Sequence, residues 1–372
     1  MQAHKHPLSG LHSANTYELT SFHFGTPGAG KKVYIQASLH ADEVPGMLVA
    51  QTLRTELAAL EAAGKIRGEV VLVPAANPIG LAQAIHGAPF GRFDLATGVN
   101  FNRAYMHVAS ALKASLAGKL GADADANVVL IRAPAVLAVA GWHPATDADA
   151  LKKVLLGLAV DADIVLDLHC DNEAVMHVYT GTPLAEAAGP LAAYLGAHAL
   201  LVALEAGEEP FDEACSRLWW ELAAHFGPAV PIPPACLSAT VELRGEMDVN
   251  YALAQRDARA LLNFLAHAGV LDIEPEPMPA PLCAATPREG VEPIIAPHNG
   301  VLVFRKNLGD TLQAGDRVAD LVDPVSGAVT TLACTRAGVF FARTAHRYLL
   351  RGMAVGKVAG PVAFRAGKLL SQ

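Results

Sequence analysis

The chain has 372 residues, of which 52% are hydrophobic and 17% are charged. This length and composition allow a substantial core, and they predict two domains or one large domain with an appendage. The net charge of -8 argues against a nucleic-acid-binding protein, which normally carries a basic face.

The first 270 residues alternate between strand and helix patterns, after a polar segment over residues 1–30 that has strand character only near SFHFG. Strands are predicted over 32–39 and in the apolar runs that begin at Gly68, Ala162, Ala174, Ala199 and Leu237. Helices are predicted over 46–63, 183–196, 211–226 and 248–268, and over most of 104–160, with breaks at Pro134 and at 141–144. This alternation indicates a mostly parallel sheet covered on both faces.

The pattern changes after residue 270. Residues 271–290 are rich in proline and are predicted to be a linker between a catalytic domain, 1–270, and a β-rich domain, 291–372. In the last segment, Gly300-Val301-Leu302 followed by Arg305 resembles Gly338-Val339-Phe340 followed by Arg343. Two similar halves of short strands and glycine turns predict a small β-sandwich.

Cysteine usage and hydropathy predict the compartment. The five cysteines are odd in number and have no C-x-x-C spacing, which favours reduced thiols over a disulfide framework. The N-terminus lacks the apolar region of a secretory signal, and the longest apolar run, which begins at Ala133, is too short to span a bilayer. We therefore expect a soluble, cytoplasmic protein without a membrane partner.

His40 and Glu43 follow the first strong strand, where a parallel sheet places its active site. A histidine and a carboxylate three residues apart can bind one cation, although the same residues also occur in an ordinary turn before a helix. A second buried strand ends in Asp167 and His169, which alternate onto one face. His169 is thus a third candidate ligand, with Asp167 as its partner, or it is a hydrogen-bonded histidine at a strand end.

Glu242 interrupts another apolar strand, where a carboxylate is costly to bury unless it is paired or functional. It could exchange protons as a general base, or it could form a salt bridge with Arg244, two residues along the strand. A glycine-rich loop contains Arg92, Asn102 and Arg103. The two guanidinium groups suit a substrate carboxylate and a developing oxyanion, although solvated loop residues would give the same pattern.

Taken in order, these motifs resemble the succinylglutamate desuccinylase/aspartoacylase family, within the zinc carboxypeptidase superfamily. The motifs are His40-x-x-Glu43, Asn102-Arg103, Asp167-x-His169 and Glu242, and the resemblance covers about residues 30–270. It implies a three-layer α/β/α sandwich around a mixed, mostly parallel sheet, and a C-terminal β domain similar to a barrel-sandwich.

The resemblance also implies site roles. His40, Glu43 and His169 match the ligands of one Zn²⁺ per chain, and Glu242 matches the general base. Asn102 and Arg103 match the pair that binds the substrate carboxylate, and Arg92 matches the arginine that stabilises the oxyanion. The implied activity is hydrolysis of an N-acyl amino acid or a related amide.

Two other functions stay open. One is a carboxypeptidase that removes a C-terminal residue, which an open groove would favour. The other is a non-catalytic carrier or binding protein, which the barrel-like C-terminal domain suggests. Carriers present a lysine on a hairpin tip, and the candidate tip that begins at Val322 has none. The C-terminal domain is therefore interpreted as a lid, a sheet extension or a contact in a homo-oligomer.

Overall fold

The computed structural model describes residues 1–8, 14 and 16–365. Residues 9–13 and 15 of the polar N-terminal segment, and residues 366–372 of the predicted β-rich domain, lie outside the described residues. The first twelve strands are β1 (Gln2–Pro7), β2 (Glu18–Gly25), β3 (Lys32–Ala37), β4 (Glu69–Val73), β5 (Ala84–Ile85), β6 (Ala88–Pro89), β7 (Ile164–Asp171), β8 (Glu173–Ala174), β9 (His177–Gly181), β10 (Ala199–Ala203), β11 (Leu237–Gly245) and β12 (Ala285–Pro287). The later strands are β13 (Val291–Ile295), β14 (Gly300–Phe304), β15 (Thr311–Leu312), β16 (Arg317–Val322), β17 (Val329–Ala333), β18 (Gly338–Arg343), β19 (Tyr348–Leu349) and β20 (Ala354–Ala359).

The helices lie almost entirely in the first 270 residues. They are α1 (Pro45–Ala62), α2 (Pro78–Leu81), α3 (Val108–Leu116), α4 (Ala124–Ala140), α5 (Asp147–Ala159), α6 (Ala185–Leu195), α7 (Phe211–Phe226) and α8 (Tyr251–His267). Two 3-10 turns cover Thr182–Leu184 and Arg288–Gly290. Across the described ranges, no helix combines the length and apolarity that crossing a membrane requires.

A nine-stranded mixed sheet forms the centre, in the order β1-β2-β4-β3-β7-β11-β9-β10-β12. Its middle strands β4, β3, β7 and β11 run parallel to one another, and β9 is antiparallel to β11. This arrangement confirms the predicted α/β class with a mixed, mostly parallel sheet. The carboxyl ends of β3, β7 and β11 lie at one edge of the sheet, where the predicted site residues follow.

The side chains of the central strands point alternately into two hydrophobic cores, one on each face of the sheet. On β3, Val33 and Ile35 face the core that contains α1, α6 and α8, whereas Tyr34 faces the core that contains α3, α4, α5 and α7. This period of two fits a sheet buried on both faces. Helix α1 begins close to β7, because a Cβ atom on Gly46 would come within 3.0 Å of the Leu168 carbonyl oxygen. The small residue therefore brings the turn before α1 against the end of β7.

The C-terminal segment forms two antiparallel sheets around its own apolar core, which includes Leu302, Leu321 and Phe340. One sheet has the order β17-β16-β14-β19, and the other has the order β13-β20-β18-β15, with β8 paired to β18. The pairs that β14 makes with β16 and β19 match those that β18 makes with β20 and β15. The two matching sets fit the duplication read from the sequence.

Three local features differ from the sequence expectations. Pro134 lies inside α4 and does not end it. The proline leaves the carbonyl of Leu130 without its helical donor, but Leu130 is exposed, so water can reach that carbonyl. β1 extends the sheet within a segment that was expected to be irregular, and β12 of the expected linker pairs with β10. The division at residues 270 and 290 stays a prediction.

Candidate metal centre and active site

The turn after β3 and the end of β7 bring three metal-binding side chains together. Register pairs Ala37 with Leu168, so the turn that holds His40 and Glu43 lies beside His169. The three side chains are buried, and one donor atom from each lies within 4.8 Å of the others. Within the described ranges this is the one group of three or more such side chains that could hold a metal ion.

The Glu43 carboxylate lies between the two imidazoles. Its Oε1 is 2.8 Å from Nδ1 of His40, and its Oε2 is 2.6 Å from Nδ1 of His169. The outer nitrogens are also held: Nε2 of His40 is 2.8 Å from Oδ1 of Asn100, and Nε2 of His169 is 2.9 Å from Oδ2 of Asp167. Two oriented imidazoles and one carboxylate form a donor set that fits Zn²⁺, with both outer nitrogens anchored as metal-binding histidines usually are.

A further layer supports Asp167. Nε2 of Gln36 donates to Oδ1 of Asp167 at 3.0 Å, and the Tyr34 hydroxyl donates to Oε1 of Gln36 at 2.8 Å. All three side chains are fully buried. This chain of hydrogen bonds fixes the acceptor that orients His169.

The charges in the group are strongly coupled. Burial would raise the pKa of Glu43, but His40 and His169 together lower it well below its usual value. Burial would lower the pKa of His169, yet Asp167 and Glu43 raise it well above its usual value. For His40, burial and the Arg92 charge lower the pKa. A metal ion would compete with the proton on His169, since ligand atoms must be deprotonated to bind metal.

Arg92 lies at the edge of this group. Its guanidinium donates to Oε1 of Glu43 at 3.1 Å and lies 3.2 Å from Nδ1 of His40. The backbone of Gly91 holds it there, because the Gly91 carbonyl accepts from the Ala41 amide at 3.0 Å. A Cβ atom on Gly91 would lie 2.4 Å from the Asp42 nitrogen, so only glycine fits at this contact. The side chain is one-third exposed, at 33%, and it remains open to a ligand.

Glu242 lies directly beside His169 in the neighbouring strand β11. The residue is half-buried, and its Oε2 is buried without a hydrogen-bond partner among the described residues. Burial and the Glu43 carboxylate raise the pKa of Glu242 to about 8, although the His169 charge acts in the opposite direction. An unpartnered carboxylate oxygen beside the three donor side chains is suited to proton exchange with a bound molecule.

Arg244 does not pair with Glu242. A register shift interrupts β11 after Glu242, and Arg244 adopts a positive φ of 70°. Its guanidinium bonds both carboxylate oxygens of Asp257 on α8, at 3.2 and 2.5 Å. The bulge therefore removes the ion pair that the sequence allowed and leaves Glu242 at the strand-end edge.

Asn102 and Arg103 lie in the loop before α3 and are both buried. Oδ1 of Asn102 accepts from the Phe211 amide at 2.8 Å, which ties the loop to the first residue of α7. Arg103 donates to the Asn102 carbonyl at 2.6 Å. Burial and the charges of Arg92 and Arg288 lower the pKa of Arg103 to about 10, so the guanidinium stays positive at neutral pH.

Sequence reasoning missed several residues around the site. Asn100 and Gln36 anchor the histidine network, and the only local signal was their position near the motifs. The Arg288 guanidinium stacks over the Tyr179 ring at 4.3 Å. Because Tyr179 pairs with Thr240, two residues before Glu242, this cation lies on the sheet face that carries the Glu242 side chain. Nothing near Arg288 in the sequence indicated this position.

The comparisons with known proteins identify related sequences and folds. Residues 29–122, which include His40, Glu43, Arg92, Asn102 and Arg103, match the family model of the succinylglutamate desuccinylase/aspartoacylase catalytic domain. No match was found among curated proteins.

Solved structures extend the similarity beyond that segment. A succinylglutamate desuccinylase/aspartoacylase family protein of Shewanella amazonensis is 27% identical, with 96% of this chain and 98% of that chain covered and a TM-score of 0.81. A protein of Shewanella frigidimarina named for the same family is 24% identical, with 96% and 97% covered and a TM-score of 0.82. The product-bound ectoine utilization protein of Ruegeria pomeroyi shares the fold at 18% identity, with 96% and 93% covered and a TM-score of 0.65.

The motif order, the matched segment and the shared fold agree with one another. The resemblance to the succinylglutamate desuccinylase/aspartoacylase family that was read from the sequence is thereby confirmed, through the match of residues 29–122 and the shared fold.

Proposed function

We propose that this protein is a zinc-dependent amidohydrolase that cleaves the amide bond of an N-acyl amino acid or a similar carboxylate-bearing amide. The observation that carries the proposal is the buried group of His40, Glu43 and His169 with Glu242 beside it. The family resemblance supports the reaction class, because the family is named for deacylases.

The ligand roles follow from the donor set. His40, Glu43 and His169 would hold the ion through their Nδ1 atoms and a carboxylate oxygen. When bound, Zn²⁺ supplies a Lewis acid that lowers the pKa of water to about 7 and polarises a carbonyl group. Asn100 and Asp167 keep the two imidazoles oriented for this task.

Glu242 is the proposed general base. Its unpartnered Oε2 accepts a proton from the attacking water and then donates that proton to the leaving amine. A cation bound at the Glu43 carboxylate would lower the pKa of Glu242, because a nearby opposite charge favours the ionised form of a carboxyl group. Glu242 would then be ready to accept a proton.

The two arginines bind different groups of the substrate. Arg92, which contacts the ligand group and remains partly exposed, stabilises the developing oxyanion, and such a donor is worth about 10²–10³ in rate. Arg103 binds the substrate carboxylate as a buried cation. Asn102 contributes its amide group, while its Oδ1 remains bonded to Phe211.

The C-terminal segment favours small substrates. It packs on β9 and on the segment directly after His169, which supports a small amide over a long peptide. The turn between β16 and β17, residues 323–328, contains no lysine, which speaks against a carrier.

We also propose residues 1–270 as the catalytic domain and 291–372 as the β-rich domain. A cytoplasmic location is supported by the five cysteines, which are all free.

The test combines metal analysis with a substrate screen. Purified protein is expected to contain one zinc ion per chain and to hydrolyse members of a panel of N-acyl amino acids, with loss of activity on chelation and recovery on zinc addition. A parallel panel of peptides with free C-termini tests the carboxypeptidase alternative. Activity on the peptides alone would replace the proposed substrate class, and activity that survives complete removal of metal would contradict the proposal.

A further inference from the structure

The segment directly after the ligand His169 is held by the C-terminal sheets. Strand β8 pairs with β18, with Ala174 opposite Ala342 and Glu173 opposite Arg343. The Val175 amide donates to the Phe341 carbonyl at 2.9 Å. The Phe341 ring also packs edge-on against His177, with centroids 4.9 Å apart.

Two cations on strands of the C-terminal sheets, and one in the loop between β18 and β19, pair with acids of this segment. Nζ of Lys357 is 2.6 Å from Oδ2 of Asp171. Nε of Arg343 and a terminal nitrogen of Arg347 each lie 2.6 Å from the Glu173 carboxylate. Burial lowers the pKa of Lys357, but Asp171 raises it above its usual value, so the lysine stays charged. We use the name acidic segment for residues 171–173.

The central sheet supports the acidic segment from the end of β11 alone, where the Glu246 amide donates to the Asp171 carbonyl at 3.1 Å and Nδ2 of Asn172 donates to Oε1 of Glu246 at 2.5 Å. Pairing with β3 ends at Leu168, one residue before the ligand. On the other side, the register of β11 shifts between Glu242 and Gly245, which lies opposite Asp171. The side chains of Asp167, His169 and Asp171 lie on one face of β7, because residues two apart in a strand share a face. Lys357 therefore binds Asp171, the neighbour of the ligand His169 on that face.

We infer that Lys357 and Arg343 are positioning residues of the metal centre: by holding Asp171 and Glu173, they fix the strand end that carries His169. The inference rests on the proposed function, since it concerns the same metal ligands. It makes the C-terminal sheets a structural part of the site, although they supply no ligand atom from the described residues.

The test measures zinc affinity by competition with a chelator, which needs no substrate. Lys357→Met removes the charge and keeps the length of the side chain, and it is expected to weaken zinc binding about 10-fold, in the range found for partners that orient ligands. Lys357→Arg should restore the affinity. The matched control is Arg305→Met, which breaks an ion pair with Asp320 inside the C-terminal sheets, at 2.6 Å, and should leave zinc affinity unchanged.

Glu173→Gln gives the same test from the other side and covers the case in which Lys357→Met does not fold. It weakens both arginine pairs and should also lower zinc affinity, while thermal unfolding shows that the variant is folded. Folded variants that bind zinc as tightly as the wild type would overturn the inference and leave the proposed function intact. Wild-type protein that binds no stoichiometric zinc would instead overturn the proposed function itself.

Discussion

Glu213 provides a test of how burial raises the pKa of a carboxyl group near the site. It lies in the first turn of α7, two residues after Phe211, and is only 6% exposed. Its Oε1 accepts from the Ala206 amide at 2.6 Å, whereas its Oε2 is buried without a hydrogen-bond partner among the described residues. Burial and the neighbouring Asp212 raise the pKa of Glu213 to about 8. We predict that Glu213→Gln stabilises the protein at alkaline pH and not at acidic pH.

The magnitude follows from proton linkage. The ordinary pKa of the carboxyl is 4.5 and the folded value is about 8, so the folded state holds a proton that the unfolded state has lost between these values. The stability that the protonated group contributes is fully present below about pH 4.5 and is lost as the pH rises through about 8. A difference of about 3.5 units corresponds to at most about 5 kcal/mol. Glutamine is neutral throughout and keeps an acceptor for Ala206.

The assay is urea denaturation of wild type and variant across this pH range. The free energy of unfolding of the variant should exceed that of the wild type by little near pH 5 and by a few kcal/mol near pH 8. Glu56→Gln, at an exposed position on α1, is the matched control and should change stability equally at every pH. Parallel curves for Glu213→Gln and wild type would refute the assignment of a raised pKa.

Three further substitutions probe the site and its support. Glu242→Gln should retain zinc and fold but lose about 10²–10⁴ in kcat, and an unchanged rate would remove its role as base. His40→Ala should release the ion, as measured by metal analysis, and retained stoichiometric zinc would point to other ligands. Arg244→Met should destabilise the protein by about 3–5 kcal/mol in urea denaturation, because the buried Asp257 carboxylate loses the guanidinium that bonds both its oxygens and keeps only the exposed Arg256, 3.6 Å away. A second substitution, Asp257→Leu, should recover part of that loss.

The positions of the three ligands could be predicted from the sequence, because strand periodicity indicates which strands are buried and parallel, and such strands end at the same edge of a sheet. Runs of apolar residues that end in His40 and in His169 indicated buried parallel strands, and the carboxyl ends of such strands meet at one edge. The structure brings both histidines and Glu43 to that edge. Their roles in catalysis stay predictions.

The orientation of Arg244 could not be read from the sequence. Residues two apart share a face only while the strand is regular, so Glu242 and Arg244 were candidates for an ion pair. The positive φ of Arg244 lies in a region that non-glycine residues rarely adopt, and no glycine or asparagine stood at that position to signal it. The partner, Asp257, stabilises this backbone from the following helix.

The contacts of the C-terminal sheets were also outside sequence reasoning. Lys357 and Arg343 fall in ordinary strand patterns, and nothing local connects them with Asp171 or Glu173. Long-range ion pairs of this kind depend on how two packed units meet, which periodicity does not encode. The pairing of β8 with β18 joins a short strand from the end of β7 to a C-terminal sheet, and the interpretation of that segment as a lid, a sheet extension or an oligomer contact stays a prediction.

The origin of the three ligands sets a limit on what the C-terminal variants can do. His40 and Glu43 come from one turn, and their mutual distance depends on local backbone that Lys357 does not touch. Only His169 comes from the supported strand end, and that strand end reaches the other two ligands through the Cys170 amide, which donates to Oε2 of Glu43 at 3.1 Å. We therefore expect loss of Lys357 to displace His169 first. Zinc affinity in Lys357→Met should therefore fall between that of the wild type and that of His169→Ala, measured in the same chelator competition. An affinity below that of His169→Ala would mean that Lys357 acts on the turn of His40 and Glu43 as well, and the positioning role would then have to be assigned to the whole site.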